Sequence, residues 1–154
     1  MPLRDGPAVK SQIQAVEVAY FVHGTEDPEK LGKAVAALIG LAPTQDGESL
    51  EGHFGNRIIV MKVRAVGDEA ESAARRVFAS MPREMKKEIL SGLGSFVDDH
   101  SALFLRFDKQ LLVQGRLARG SGDPVRVKVK PRLFRIRSGA PEFYRSLMEG
   151  TGGS

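Results

Sequence analysis

The sequence has no cysteine and no tryptophan. Without cysteine, disulfide frameworks, thiolate zinc sites, iron–sulfur clusters and cysteine nucleophiles are all excluded. A reducing cytoplasm is the compartment that fits. Aromatic residues are only 6% of the chain. No apolar run approaches the roughly 18 residues of a membrane-spanning helix. Met1 to Lys10 lacks the apolar stretch of a secretory signal. The three histidines, His23, His53 and His100, share no helical i, i+4 or His-x-His spacing, so no metal site is expected. Gly115, Gly120 and Gly122 make neither a dinucleotide fingerprint nor a P-loop, and GxSxG and SxxK motifs are missing. No cofactor and no catalytic group is therefore expected.

What is present is one domain's length of ordinary globular composition, with 154 residues, 42% apolar and 27% charged. Charge is unevenly spread. Residues 1–100 hold 12 Lys/Arg against 15 Asp/Glu, whereas residues 101–154 hold 11 against 4. Such an asymmetry points to a polyanion-facing region.

Residues 1–10 read as a flexible arm, 11–148 as a single α+β domain and 149–154 as a disordered tail. Val16, Val18, Tyr20 and Val22 alternate with Ala15, Glu17, Ala19 and Phe21, which is a strand. Asp27-Pro28 predicts an N-cap and first helical residue, and Gly40 the stop. Residues 40–49 read as a loop. Leu50–Val66 reads as a hairpin turning at Gly55-Asn56. Asp68 is expected to cap a helix that buries Ala70, Ala74, Val77, Phe78 and Met81, with Pro82 starting another. Leu103, Leu105 and Phe107 predict a strand, and Asp108–Leu117 fits either a short helix or a bent strand. Pro124–Ile136 is the last long strand, and a short helix follows Pro141. This order predicts a mixed or antiparallel sheet with helices packed on one face, a two-layer sandwich.

The segment PVRVKVKPR (124–132) is the most informative. Val125, Val127 and Val129 point one way along a strand, and Arg126, Lys128, Lys130 and Arg132 the other. The cations then stand roughly 6.6 Å apart, from a rise of about 3.3 Å per residue. Neutralising phosphates would turn this self-repulsion into binding free energy. A protected edge strand is the plainer alternative. Against it, Leu103–Ser138 holds ten Lys/Arg and only Asp108 and Asp123 as acids. Arg116, Arg119, Arg135 and Arg137 extend the positive surface, with Lys62 and Arg64 joining if the hairpin lies alongside. Phe54, Phe104, Phe134 and Tyr144 are the candidates for base stacking. His53 reads first as a turn residue, and Asp108-Lys109 first as a structural pair rather than a general base.

VHGTEDPEKLGKAVAALIG (22–40), LEGHFGNRIIVMKVR (50–64), LRFDKQ (ending at 110) and GDPVRVKVKPR (122–132) occur in this order and spacing. Over about residues 14–132 they resemble an archaeal family labelled predicted RNA-binding protein or predicted exosome subunit. That family resembles in fold the large-subunit ribosomal protein that contacts the small 5S RNA. The resemblance implies a ribosomal-protein-like sheet with helices on one face, and a non-catalytic RNA-binding protein of RNA processing or ribosome maturation. Arg126, Lys128, Lys130 and Arg132 are expected on phosphates. Arg106, Lys109 and Gln110 are expected on phosphate, ribose or bases, and His53 and Asn56 on a base or ribose. Lys62, Arg64 and Arg116 complete the expected set. The expected partner is structured or ribosomal RNA, with no membrane. The alternative is a protein–protein interaction module, a homodimer or an accessory subunit of an RNA-processing complex. A metal-dependent nuclease is the weakest reading, since converging carboxylates are few.

Overall fold

The computed structural model describes residues 12–47, 50–51, 57–132 and 140–149. Its centre is β1 (Ile13–His23), whose alternating side chains are buried on one face and half-exposed on the other. The register against β6 shifts between Ile13 and Ala15, which brings Ile13 into the core on the same side as Val16. β4 (Arg57–Val66) pairs antiparallel with one side of β1, and β6 (Val125–Pro131) with the other. β5 (Leu103–Phe107) lies outside β6. Two short strands, β2 (Thr44–Gln45) and β3 (Leu50–Glu51), pair in tandem along the outer edge of β4. The strand order is β2-β4-β1-β6-β5. The expected hairpin is present in the β3–β4 pairing; its turn, 52–56, lies outside the described residues. β2 falls in the segment read as a loop, because two exposed residues leave no periodicity to find.

The helices close one face of this sheet. α1 (Pro28–Ile39) starts as expected: Asp27 accepts from the backbone N–H groups of Glu29 and Lys30, and Gly40 ends it at φ +84°. α2 (Gly67–Ser80) corrects the expected cap. Val66 occupies the cap position without a side-chain bond, and Asp68 sits inside the first turn, where the helix dipole favours a carboxylate. α3 (Arg83–Ser91) follows Pro82, and a 3-10 turn spans Leu93–Ser95. α4 (Lys109–Val113) resolves the ambiguous segment as a helix, capped by Asp108 through the N–H of Leu111. α5 (Ala140–Glu149) buries Ala140, Tyr144 and Met148.

The core lies between these two layers. Val16, Val18, Tyr20 and Val22 of β1 meet Val35, Ala74, Val77 and Phe78 from the helices, and Leu103, Leu105, Val125, Val127 and Val129 from the other strands. The result is the expected α+β sandwich. Tyr144 is fully buried rather than a stacking surface, and its hydroxyl donates to the carbonyl oxygens of Ser101 and Val129. None of the described helices is long and apolar enough to cross a membrane.

The free edge of β5 is partly closed by single bridges, Val97 to Leu103 and Phe107 to Arg119. The second bridge requires a small residue next to it. A Cβ on Gly120 would lie 2.7 Å from the backbone nitrogen of Asp108. Gly120 therefore lets the 118–123 segment press against the end of β5 and return Asp123 to the sheet.

Candidate nucleic-acid interface

The strand parity read from PVRVKVKPR holds. Val125, Val127 and Val129 are buried beneath the helices, while Arg126, Lys128 and Lys130 face the opposite side. On that side the register assembles two cross-strand rows. One runs Arg64, Glu17, Lys128, Phe104, and the next runs Lys62, Ala19, Arg126, Arg106. Together they line a shallow groove of about 700 Å³ along the helix-free face. Lys62 and Arg64 thus join the basic surface across β1, as the hairpin reading required.

Arg106 and Arg126 are direct cross-strand partners, and both are exposed. Like charges in that position destabilise a sheet. Among the described residues, no carboxylate pairs with Arg106, Arg126 or Lys128. Their neighbours are aromatic. The Arg126 guanidinium lies 5.4 Å from the ring centre of Phe21, and the Lys128 ammonium 5.2 Å from that of Phe104. Phe104 is 40% exposed, one of two large apolar residues so exposed among those described. Phe21 was not singled out from the sequence, although its parity with Glu17 and Ala19 already placed it on the open face.

Other cations of the groove are partly compensated. Glu17 accepts from Arg64 at 3.0 Å and lies 3.3 Å from the Lys130 ammonium. Burial pushes its carboxyl up, but these two cations outweigh burial and hold it below the usual carboxylate range. Lys62 meets Asp46 at 3.1 Å, with both side chains more than half exposed. Exposed pairs of this kind are worth roughly 0–1 kcal/mol, so a phosphate can replace the carboxylate at little cost.

Three expected contacts are placed elsewhere. Lys109 is turned inward, its side chain 4% exposed. Its ammonium donates to the Phe21 carbonyl at 2.7 Å, to Glu26 at 3.2 Å and to Asp123 at 2.6 Å. It is therefore a structural lock and not a phosphate contact. Gln110 on α4 and Arg116 just beyond it are exposed, but neither lines the groove. The strand ends at Phe107, so Lys109 and Gln110 follow helical rather than alternating geometry, and Arg116 lies in the irregular segment beyond α4. Arg119 pairs with Glu88 at 3.2 Å and lies over Phe96 beside the β5 edge. Arg132 follows β6 and is exposed. His53, Asn56, Phe54, Phe134, Arg135 and Arg137 lie outside the described residues.

The Lys109 lock lies outside the groove lining, at the end of β1. His23 Nε2 is 2.8 Å from Asp123 Oδ2, and the His23 backbone N–H donates to Glu26. His23, Glu26 and Asp123 present donor atoms within 4.8 Å of one another, a set able in principle to hold a metal. The Lys109 ammonium already bonds two of the three, so the protein itself supplies a cation to this cluster. Burial raises the Asp123 carboxyl, but the bonds from Lys109 and His23 prevail and hold it below the ordinary range. Asp123 is therefore an anion at neutral pH.

Known proteins share sequence and fold with this chain. The chain is 28% identical to the RNA-binding protein PAB1135 of Pyrococcus abyssi, over 86% of this chain and 91% of the relative. Its fold matches Mth689, a DUF54 protein from Methanothermobacter thermautotrophicus, with a TM-score of 0.72 and 29% identity over 90% of this chain and 99% of that one. A second solved relative, AF2318 from Archaeglobus fulgidus, is 30% identical over 88% of this chain and 99% of its own, with a TM-score of 0.69. A family model described as RNA binding matches residues 15–131, from near the start of β1 to the end of β6, and the chain belongs to that family.

Proposed function

We propose that the protein is a non-catalytic RNA-binding protein that holds the phosphate backbone in the basic groove of its open sheet face. The observation that carries this reading is the direct opposition of Arg106 and Arg126 with no carboxylate between them. In the free protein that arrangement costs stability. A polyanion laid along the groove converts the cost into attraction and releases counterions. Phe104 and Phe21 add stacking surface for bases that leave the helix. RNA processing or ribosome maturation is the setting in which we place this activity. The resemblance to proteins labelled predicted exosome subunits supports that setting, and the family match supports RNA binding itself.

Titration of a structured RNA against salt tests the reading. With Lys62, Arg64, Arg106, Arg126 and Lys128 engaged, log affinity should fall against log salt with a slope of about −4 to −5. Lys128→Ala should reduce that slope by about one unit. Binding unchanged after replacing Arg106, Arg126 and Lys128 together would overturn the proposal. So would cleavage of the RNA on adding magnesium or manganese, as regards its non-catalytic part.

A further inference from the structure

One acid adjoins the basic groove. Asp123 stands at the end where Phe21, Arg106 and Arg126 meet, and these residues line a hollow of about 220 Å³ together with Gly122 and Pro124. A carboxylate there repels phosphate, and the bonds from Lys109 and His23 engage only part of it. Its two oxygens are used unequally. Lys109 and His23 both bond Oδ2, which fixes the side chain, while Oδ1 has no partner among the described residues. The side chain is 39% exposed.

An ionised carboxylate accepts hydrogen bonds and donates none. With Oδ1 free among the described residues and Oδ2 already engaged by Lys109 and His23, it favours an edge that brings one N–H to Oδ1 and sets a second N–H, not an acceptor, beside Oδ2. Of the four RNA bases only guanine does so on its Watson–Crick edge, through N1–H and the exocyclic amine. Adenine and cytosine place a ring acceptor next to their amine, and uracil flanks its single N–H with two carbonyls. The other side of the hollow supplies arginine, whose guanidinium pairs with guanine O6 and N7. Phe21, half-buried with Arg126 over its ring, supplies a stacking surface. The volume lies below the roughly 300–1,000 Å³ of pockets that enclose whole ligands, which suits one planar base.

From this convergence we propose that the hollow is a subsite for an unpaired guanine of the bound RNA, with Asp123 as its specificity-determining residue and Phe21 as its stacking platform. The inference rests on the RNA-binding reading. Five uridine-flanked single-stranded RNA decamers, with G, A, C, U or an abasic nucleotide at the centre, test it by fluorescence anisotropy with the 154-residue chain. The G oligomer should bind about tenfold tighter than the abasic one, the scale of one stacked and bonded base. The A, C and U oligomers gain stacking without the paired bonds and should fall between the G and abasic values. Asp123→Asn should abolish the preference for G without weakening abasic binding. Phe21→Leu leaves the Lys109 bonds intact, and should lower G binding towards the abasic value even if Asp123→Asn fails to fold. Equal, salt-dependent binding of all five oligomers would overturn the subsite and leave the RNA-binding proposal standing. Preference for another base, or a G preference that survives both variants, would also overturn it. Failure to bind any of the oligomers or a structured RNA would remove both proposals.

Discussion

Replacing Arg106 by glutamine should move stability and RNA affinity in opposite directions. Arg106 and Arg126 face each other across β5 and β6 without an intervening carboxylate. Taking about 7 Å between their charged heads in a water-like dielectric, Coulomb's law gives a repulsion of about 0.6 kcal/mol. At 0.15 M salt the Debye length is about 8 Å, which cuts this by about half. Arg106→Gln keeps the polar, exposed character of the position and removes one charge. Its urea midpoint at low salt should therefore rise by about 0.3 M, taking a slope of about 2 kcal/mol per molar urea. The gain should shrink at 0.15 M salt. The same variant loses one phosphate contact, so its salt slope for RNA should fall by about 0.7–0.9. An edge strand charged only against aggregation predicts the first change and not the second. A lower urea midpoint at low salt would refute the repulsion argument, because it would mean that the arginine stem contributes packing larger than the electrostatic cost. Unchanged RNA affinity would refute the placement of Arg106 in the interface.

Three other outcomes follow from the structure. Lys109→Met should cost about 3 kcal/mol in urea unfolding, because it leaves Glu26, Asp123 and the Phe21 carbonyl without their shared buried donor; a loss below about 1 kcal/mol would mean that water or His23 takes its place. Tyr20 is fully buried, its hydroxyl has no partner among the described residues, and burial pushes its pKa up to about 12. Tyr20→Phe should therefore leave stability unchanged or raise it by up to about 1 kcal/mol, and a clear loss would reveal a bonded hydroxyl. Glu17 and Asp123 are both held below their ordinary carboxyl values in the folded chain. The unfolded chain then binds more protons in this range, so their contribution is complete above the unfolded values near pH 4 and is lost as pH falls through the folded ones. Thermal melting temperatures should drop on acidification below about pH 4, and Asp123→Asn should flatten that limb; an unchanged limb in the variant would assign acid sensitivity to other carboxylates.

The parts of this molecule governed by short-range periodicity were legible from residue order. Valines and cations two apart in β6 must lie on opposite faces, because a strand alternates its side chains whatever it packs against. Asp27, Pro28 and Gly40 bound α1 through local backbone geometry, and Asp108 caps α4 in the same way. Sequence also put Phe21 on the open face, although nothing local shows that an arginine from a strand a hundred residues later would cover it.

Tertiary structure decided what depends on register between distant segments. Arg106 faces Arg126 only because β5 and β6 pair at that offset, and Lys62 enters the same row only because β1 lies between β4 and β6. The fate of Lys109 was decided the same way. Along the chain it is one more cation beside Arg106, yet α4 begins there and turns its ammonium towards two carboxylates and a carbonyl from three other segments. A lysine next to a strand end has no local instruction to be exposed or buried. The choice is made by the desolvation cost of its charge against the bonds that folding supplies, and those bonds come from residues 14 to 88 positions away.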